Sequence, residues 1–251
     1  MTAAEKTSLA HFLDLAAAVT GSGYRVRDDP APVTEEAAES AAEYVPETAP
    51  SDSAPVIATG DRSADSLELV AADVRGCTAC KLSAARTNAV PGEGAQRPLV
   101  MVIGEGPGAD EDATGRPFVG RAGQLLDKML DSIGLSRESN CYIANVIKCR
   151  PPGNRDPQPD ETAACASFLA RQIQLLQPRF ILCAGRIAAQ TLLNTTTPIG
   201  KLRGKFTDFQ AGDKTIPFLP TYHPSALLRN EDLKRPAWED LKLLRARMDS
   251  E

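Results

Sequence analysis

No stretch of the 251-residue chain is apolar and long enough to span a bilayer, and no basic-then-apolar leader follows Met1. These absences exclude a helical membrane protein and make the cytoplasm the expected compartment. Without an export signal disulfides are not expected, so the six cysteines need another use. No internal repeat is visible. Large apolar residues are nearly missing between Gly21 and Ser63, where Ala, Pro, Glu, Ser and Asp dominate. Such a stretch cannot bury enough surface to offset its ordering entropy, and reads as a disordered linker. Ahead of it, Thr2 to Val19 is patterned as an amphipathic helix with Leu9, Phe12 and Leu13 near one face. A helix on such a tether could dock on a protein partner; a frayed end without a role is the simpler account.

The formal net charge of −5 hides a division. Met1 to Val74 carries four Lys/Arg against fourteen Asp/Glu, a net −10, whereas Arg75 to Glu251 carries twenty-four against nineteen, a net +5. An acidic extension over residues 1–65 therefore precedes a mildly basic domain over residues 66–251. The split removes the objection that whole-chain acidity raises against a nucleic-acid partner.

Order resumes near Ser66 with a helix leading to Cys77. Leu99 to Ile103 has the length and β-branched content of a buried strand. A polar loop follows, with Gly104, Gly106 and Gly108, and the next helix is expected near Ala122. Further strands are expected at Cys141 to Ile147, Arg179 to Ala184 and Ile216 to Pro220, with helices at Gly123 to Gly134, Asp160 to Leu176, Arg186 to Leu193 and Arg235 to Met248. A two-stranded excursion fits Gly200 to Gln210. Strands alternating with helices of this length predict an α/β fold of three layers, α/β/α, around a mainly parallel four-stranded sheet.

Gly104, Gly106 and Ala109 satisfy the dinucleotide pattern G-x-G-x-x-G/A, but Pro107 sits inside it. No helix is expected directly behind it, and no acidic residue closes a second strand about 20 residues on. The pocket reading is sharper. Loops at the carboxyl ends of the strands, where open α/β sheets place ligand chemistry, offer Glu105 and Phe118, then Asn145, then His223. Each alone has a structural explanation. Together they supply an acid, a ring, an amide and an imidazole at one sheet edge. An amide for the Watson–Crick edge and a ring for the face are what a flipped nucleobase requires.

Cys77 and Cys80 form a C-x-x-C before the sheet, and Cys149 and Cys165 follow later. Four thiolates fit structural zinc and an iron–sulfur cluster alike, and the spacing leaves that choice open. Cys141 and Cys183 lie within apolar strands and read as small core residues.

The segments GEGPGADEDATGRPFVGRAGQLLD, NVIKCRPPGNRDPQPDE and HPSALLR resemble the signatures of the family 4 uracil-DNA glycosylases, the iron–sulfur type of bacteria and archaea. The resemblance covers about Arg75 to Met248 and includes all four cysteines in order. It implies a 4Fe-4S cluster at Cys77, Cys80, Cys149 and Cys165, and a monomer acting on uracil-containing DNA, single- or double-stranded. Carried over by position, Phe118 stacks on uracil, Asn145 reads its O4 and N3 edge, and His223 donates towards O2. Glu105 and Gly106 line the pocket, and Glu105 is the candidate to orient water. Gly106 falls where other branches carry a water-activating Asp, so electrostatic stabilisation of the departing base has to dominate. The basic insertion of covalently trapping relatives is absent, since the chain runs directly through Cys149-Arg150-Pro151-Pro152-Gly153.

Ser225, Leu227, Leu228 and Arg229 are the DNA-binding candidates, with an apolar wedge to fill the hole left by a flipped base and a cation for phosphate. Lys148, Arg150, Arg155 and Lys201 to Lys205 are candidates for further phosphate contacts. The competing reading is a non-catalytic iron–sulfur DNA-binding or polymerase-associated protein using the same basic face. Phe118, Asn145 and His223 occurring together favour the enzyme.

Overall fold

The computed structural model describes residues 65–250; the expected N-terminal helix, the linker and nearly all of the acidic extension lie outside them. Helix α1 (Leu67–Gly76) starts where Ser66 Oγ accepts the Leu69 N–H at 3.2 Å, and buries Val70 and Val74. A short 3-10 turn, Lys81–Ala84, follows the first two cysteines. Then come β1 (Glu93–Gly94), β2 (Val100–Gly104), α2 (Ala109–Thr114), α3 (Arg121–Asp131) and β3 (Cys141–Asn145). After them run α4 (Pro159–Leu176), β4 (Phe180–Ala184), α5 (Arg186–Leu192), α6 (Ile199–Leu202), β5 (Thr207–Ala211), β6 (Lys214–Thr221), α7 (Pro224–Arg229) and α8 (Lys234–Asp249).

The strands form one sheet in the order β1-β3-β2-β4-β6-β5. The four central strands are parallel, and every residue of β2, β3 and β4 is buried, as expected for a sheet covered on both faces. The side-chain period of two then divides the core. Val100, Val102, Cys141, Ile143, Phe180 and Leu182 pack with α3 and α8 on one side. Met101, Ile103, Tyr142, Ala144, Ile181 and Cys183 pack with α4 on the other. Cys141 and Cys183 are indeed core residues.

The sheet has six strands rather than four. β1 and β5 extend it antiparallel at its two edges. β1 is only two residues long and lacks the apolar run by which strands are recognised. The excursion is also arranged differently: Ile199–Leu202 is a helical turn, and β5 pairs with β6 through a tight hairpin instead of with its own partner. A helix does open directly behind the glycine loop. α2 begins with Asp110, Glu111 and Asp112, acids suited to the positive end of a helix, and stops at Gly115 with φ +71°. One of the three objections to a dinucleotide loop thus falls, while Pro107 and the missing acidic residue stand.

Candidate active site

The register sets the floor of the site. Gly104 at the end of β2 lies beside Asn145 at the end of β3, and β6 ends at Thr221, two residues before His223. These carboxyl ends open into a cavity of about 550 Å³ lined by Glu105, Gly106, Phe118, Asn145, Asp156, Arg186, Tyr222, His223 and Arg229. Asn145 is buried, and its Oδ1 has no hydrogen-bond partner among the described residues. A buried orphan acceptor is costly unless a ligand satisfies it.

Phe118 stands beside this amide, held in a left-handed backbone conformation at φ +52°. Two groups fix that strained turn. Arg137 donates to the carbonyls of Pro117 and Phe118 at 2.9 and 2.8 Å. Glu111 accepts the N–H groups of Val119 and Gly120 at 2.8 and 2.9 Å, and that of Gly108 at 3.0 Å. Neither residue is among the sequence-derived candidates. The signal for Glu111 was present, because an acid three residues after a helix start has capping-box spacing. Gly104 is needed for the same geometry: a Cβ there would lie 2.5 Å from both Asn145 Oδ1 and Phe118 Cζ.

The His223 ring lies 5.5 Å from that of Phe118, tilted by 31°. The Ser225 N–H donates to His223 Nδ1 at 3.1 Å, and Ser225 Oγ lies 2.8 Å from the same atom. Burial pushes the imidazole pKa down to about 4, and the Arg229 charge pushes the same way. The ring is therefore neutral near pH 7, with its proton on Nε2. Glu105 is shifted in the opposite sense. Burial raises its carboxyl to about 7, Asp156 adds to this, and Arg186 and Arg229 partly offset it. A Cβ at Gly106 would meet Ile147 Cγ1 at 2.7 Å, so this position is filled from behind.

Residues 91–242 match the family model described as the Uracil DNA glycosylase superfamily. The chain belongs to the uracil-DNA glycosylase superfamily. It is 44% identical over 191 residues to a Type-4 uracil-DNA glycosylase of Saccharolobus solfataricus, covering 74% of this chain and 88% of the relative. A Type-4 uracil-DNA glycosylase of Sulfurisphaera tokodaii is 45% identical over 72% of this chain and 84% of its own length. One from Thermotoga maritima is 47% identical over 70% and 91% respectively.

Around this glycosylase pocket the proposed DNA contacts divide. Arg229 and Lys201 and Lys205 are exposed, and Leu228 is half-buried. Leu227 is not a wedge: it is fully buried on α7, within the core beside Trp238 and Leu241. The segment after His223 is helical, and its period turns Leu227 inward. Lys148 is not a surface cation either. It is 1% exposed and donates to the Asn145 carbonyl and Gln172 Oε1 at 2.8 and 2.7 Å. Arg155 forks onto buried Glu161, Arg203 onto buried Asp240, and Arg150 binds Asn154.

The four cysteines come from the segment after α1, the loop after β3 and α4, and none of them is in a disulfide. They lie within electrostatic reach of one another. Burial is the largest effect raising the Cys149 thiol, and the Cys77 and Cys80 charges raise it further, with the Arg86 guanidinium, 3.0 Å from Sγ, opposing. Burial likewise raises Cys165 to about 11, against the Lys148 N–H and ammonium, and with Cys149 and Cys80 adding to the rise. Four cysteine sulfurs drawn from three chain segments are the kind of donor set that four-thiolate metal sites use. No group of three or more His, Cys, Asp or Glu among the described residues is set to hold a single metal ion.

Proposed function

We propose that this chain is a monomeric DNA-repair hydrolase that excises uracil from DNA. The observation that carries this reading is the buried, unpartnered Asn145 Oδ1 beside the Phe118 ring. An amide offers one acceptor and one donor, which complement uracil N3–H and O4, while Phe118 covers the base face. The base enters by flipping out of the stack, and Leu228 fills the space it leaves while Arg229 holds a phosphate.

Cleavage of the N-glycosidic bond leaves an oxocarbenium-like sugar and a uracil anion whose charge gathers at O2. His223 acts there through Nε2–H, since Nδ1 is occupied by the Ser225 N–H donor. A neutral donor stabilises the anion without protonating it. The Glu105 carboxylate orients the attacking water, which supplies hydroxide to the sugar and a proton to the departing base. A merely DNA-binding module has no use for an imidazole aimed at a leaving group.

By the resemblance of the chain, Cys77, Cys80, Cys149 and Cys165 would hold a 4Fe-4S cluster. Bound there, the cluster would cross-link three chain segments and take no part in the hydrolysis.

The test is excision from single- and double-stranded oligonucleotides carrying one uracil, read by alkaline cleavage at the abasic product. Uracil-dependent strand scission is expected, and its loss in Asn145→Ala protein. Binding without scission by the wild-type protein would replace the enzyme with the binding-module reading.

A further inference from the structure

Glu93 lies outside the cavity, on an edge strand that its glycine neighbours make possible. Gly92 and Gly94 have φ of +127° and +139°, a backbone that favours glycine, and a Cβ on Gly94 would collide with the Cys141 carbonyl. β1 can therefore lie close against β3, with Glu93 opposite Ile143. The Glu93 carboxylate then holds two arginines. Its Oε1 accepts from Arg137 Nη1 at 2.6 Å and from Arg116 Nη2 at 2.9 Å, and its Oε2 accepts from Arg116 Nε at 2.8 Å.

Both arginines bear on the Phe118 turn. Arg116 stands two residues before Phe118 in the chain. Each terminal nitrogen of Arg137 joins one carboxylate to one carbonyl of that turn. Nη1 bridges Glu93 and the Pro117 carbonyl, and Nη2 bridges Asp127 and the Phe118 carbonyl. Behind the turn there is no spare room, since a Cβ on Gly123 would overlap the Phe118 carbonyl.

We propose that Glu93 is a positioning residue for uracil recognition, holding through Arg116 and Arg137 the backbone that keeps the Phe118 ring in the pocket. The inference rests on the excision reading given above, in which Phe118 covers the face of the base. A phenylalanine at φ +52° persists only where its surroundings over-determine it. Glu93 supplies that constraint from 25 residues away in the chain, and its carboxylate accepts three guanidinium N–H groups at once. An amide in its place keeps one acceptor oxygen and turns a donor towards the arginines. The turn then loses its grip, and the ring is free to leave the face of the base.

The test is a double-mutant cycle on the full chain with Glu93→Gln and Phe118→Ala. Single-turnover excision of uracil is measured against enzyme concentration, and thermal melts follow folding. Efficiency, the limiting rate divided by the half-saturating enzyme concentration, should fall about 10-fold in Glu93→Gln, a coupling usual within one hydrogen-bond network. In the Phe118→Ala background the same substitution should change efficiency less than about 2-fold, because the ring it positions is gone. A merely structural role would give an equal loss with and without the ring, and that result overturns the proposal. So does wild-type efficiency in Glu93→Gln. If Glu93→Gln fails to fold, Arg137→Lys, which keeps the charge and lacks the fork, takes its place in the cycle under the same two criteria. Unaltered excision in the variants would remove the proposal and leave the enzyme reading intact, whereas absent excision by the wild type would remove both.

Discussion

The main-chain N–H of Ser225 points at Nδ1 of His223 across 3.1 Å and settles which face of the imidazole can donate. An N–H group can only donate, so Nδ1 accepts and the ring proton is left on Nε2, the nitrogen available to the pocket. Pro224 between them starts α7 and holds the turn that makes this contact. The HPSALLR segment therefore sets the tautomer of the donor through its backbone as well as supplying the ring.

Excision should depend on pH through Glu105 rather than through His223. The Glu105 carboxyl is raised to about 7, so the fraction ionised, and with it the rate, should climb as pH rises through 7. His223, at about 4, is already neutral throughout that range. Single-turnover rates between pH 5 and 9 should show one rising limb in the wild type and a flat profile in Glu105→Gln. A rising limb that survives in Glu105→Gln would assign the titration to another group.

Both groups also tilt folding stability, in opposite directions. The His223 pKa is depressed in the folded state, so its contribution is present above the ordinary histidine value and is lost as pH falls through about 4. Glu105 is raised, so its contribution is present below the ordinary carboxylate value and is lost as pH rises through about 7. Denaturant melts of Glu105→Gln should accordingly lose less stability than the wild type between pH 5 and 8. An unchanged pH dependence of stability in this variant would rule out the burial effect.

Leu227 and Leu228 should separate cleanly. Leu227→Ala removes a fully buried side chain, a change that costs about 2–5 kcal/mol, and thermal melts should register it. Leu228→Ala should melt nearly as the wild type and lose excision from duplex DNA more than from single strands, where no gap needs filling. Equal loss on both substrates would take the wedge role from Leu228.

Gly104→Ala tests how closely the pocket floor is packed. Its Cβ would sit 2.5 Å from Asn145 Oδ1 and Phe118 Cζ, so the amide or the ring has to move. A displacement of about 1 Å in such a constellation costs on the order of 10²-fold in rate. Single-turnover excision should fall by about that factor while iron content stays unchanged. Wild-type excision would mean that neither group's position matters.

The sequence carried the parallel sheet and the pocket because both are written in local patterns. Fully buried strands read as continuous apolar runs, Glu105, Asn145 and His223 stand at or just past the ends of three strands, and Phe118 lies in the loop that follows the first. What escaped depends on contacts between distant segments. β1 is a strand only because Glu93 and Gly94 pair with Ile143 and Tyr142. Lys148 looks like any surface cation until α4 brings Gln172 over it. Leu227 and Leu228 are indistinguishable as neighbours in a loop, and a single turn of helix sends one to the core. Glu111 was legible as a cap, but its grip on Val119 and Gly120 arises only once the loop folds back.

The most direct test of the catalytic account is single-turnover excision by His223→Ala at saturating enzyme, together with its affinity for uracil-containing DNA. His223 is assigned to the charge that develops on the departing base, so its loss should slow the chemical step by about 10²–10³-fold while DNA affinity stays close to wild type. A His223→Ala protein that excises uracil at the wild-type rate would contradict the mechanism.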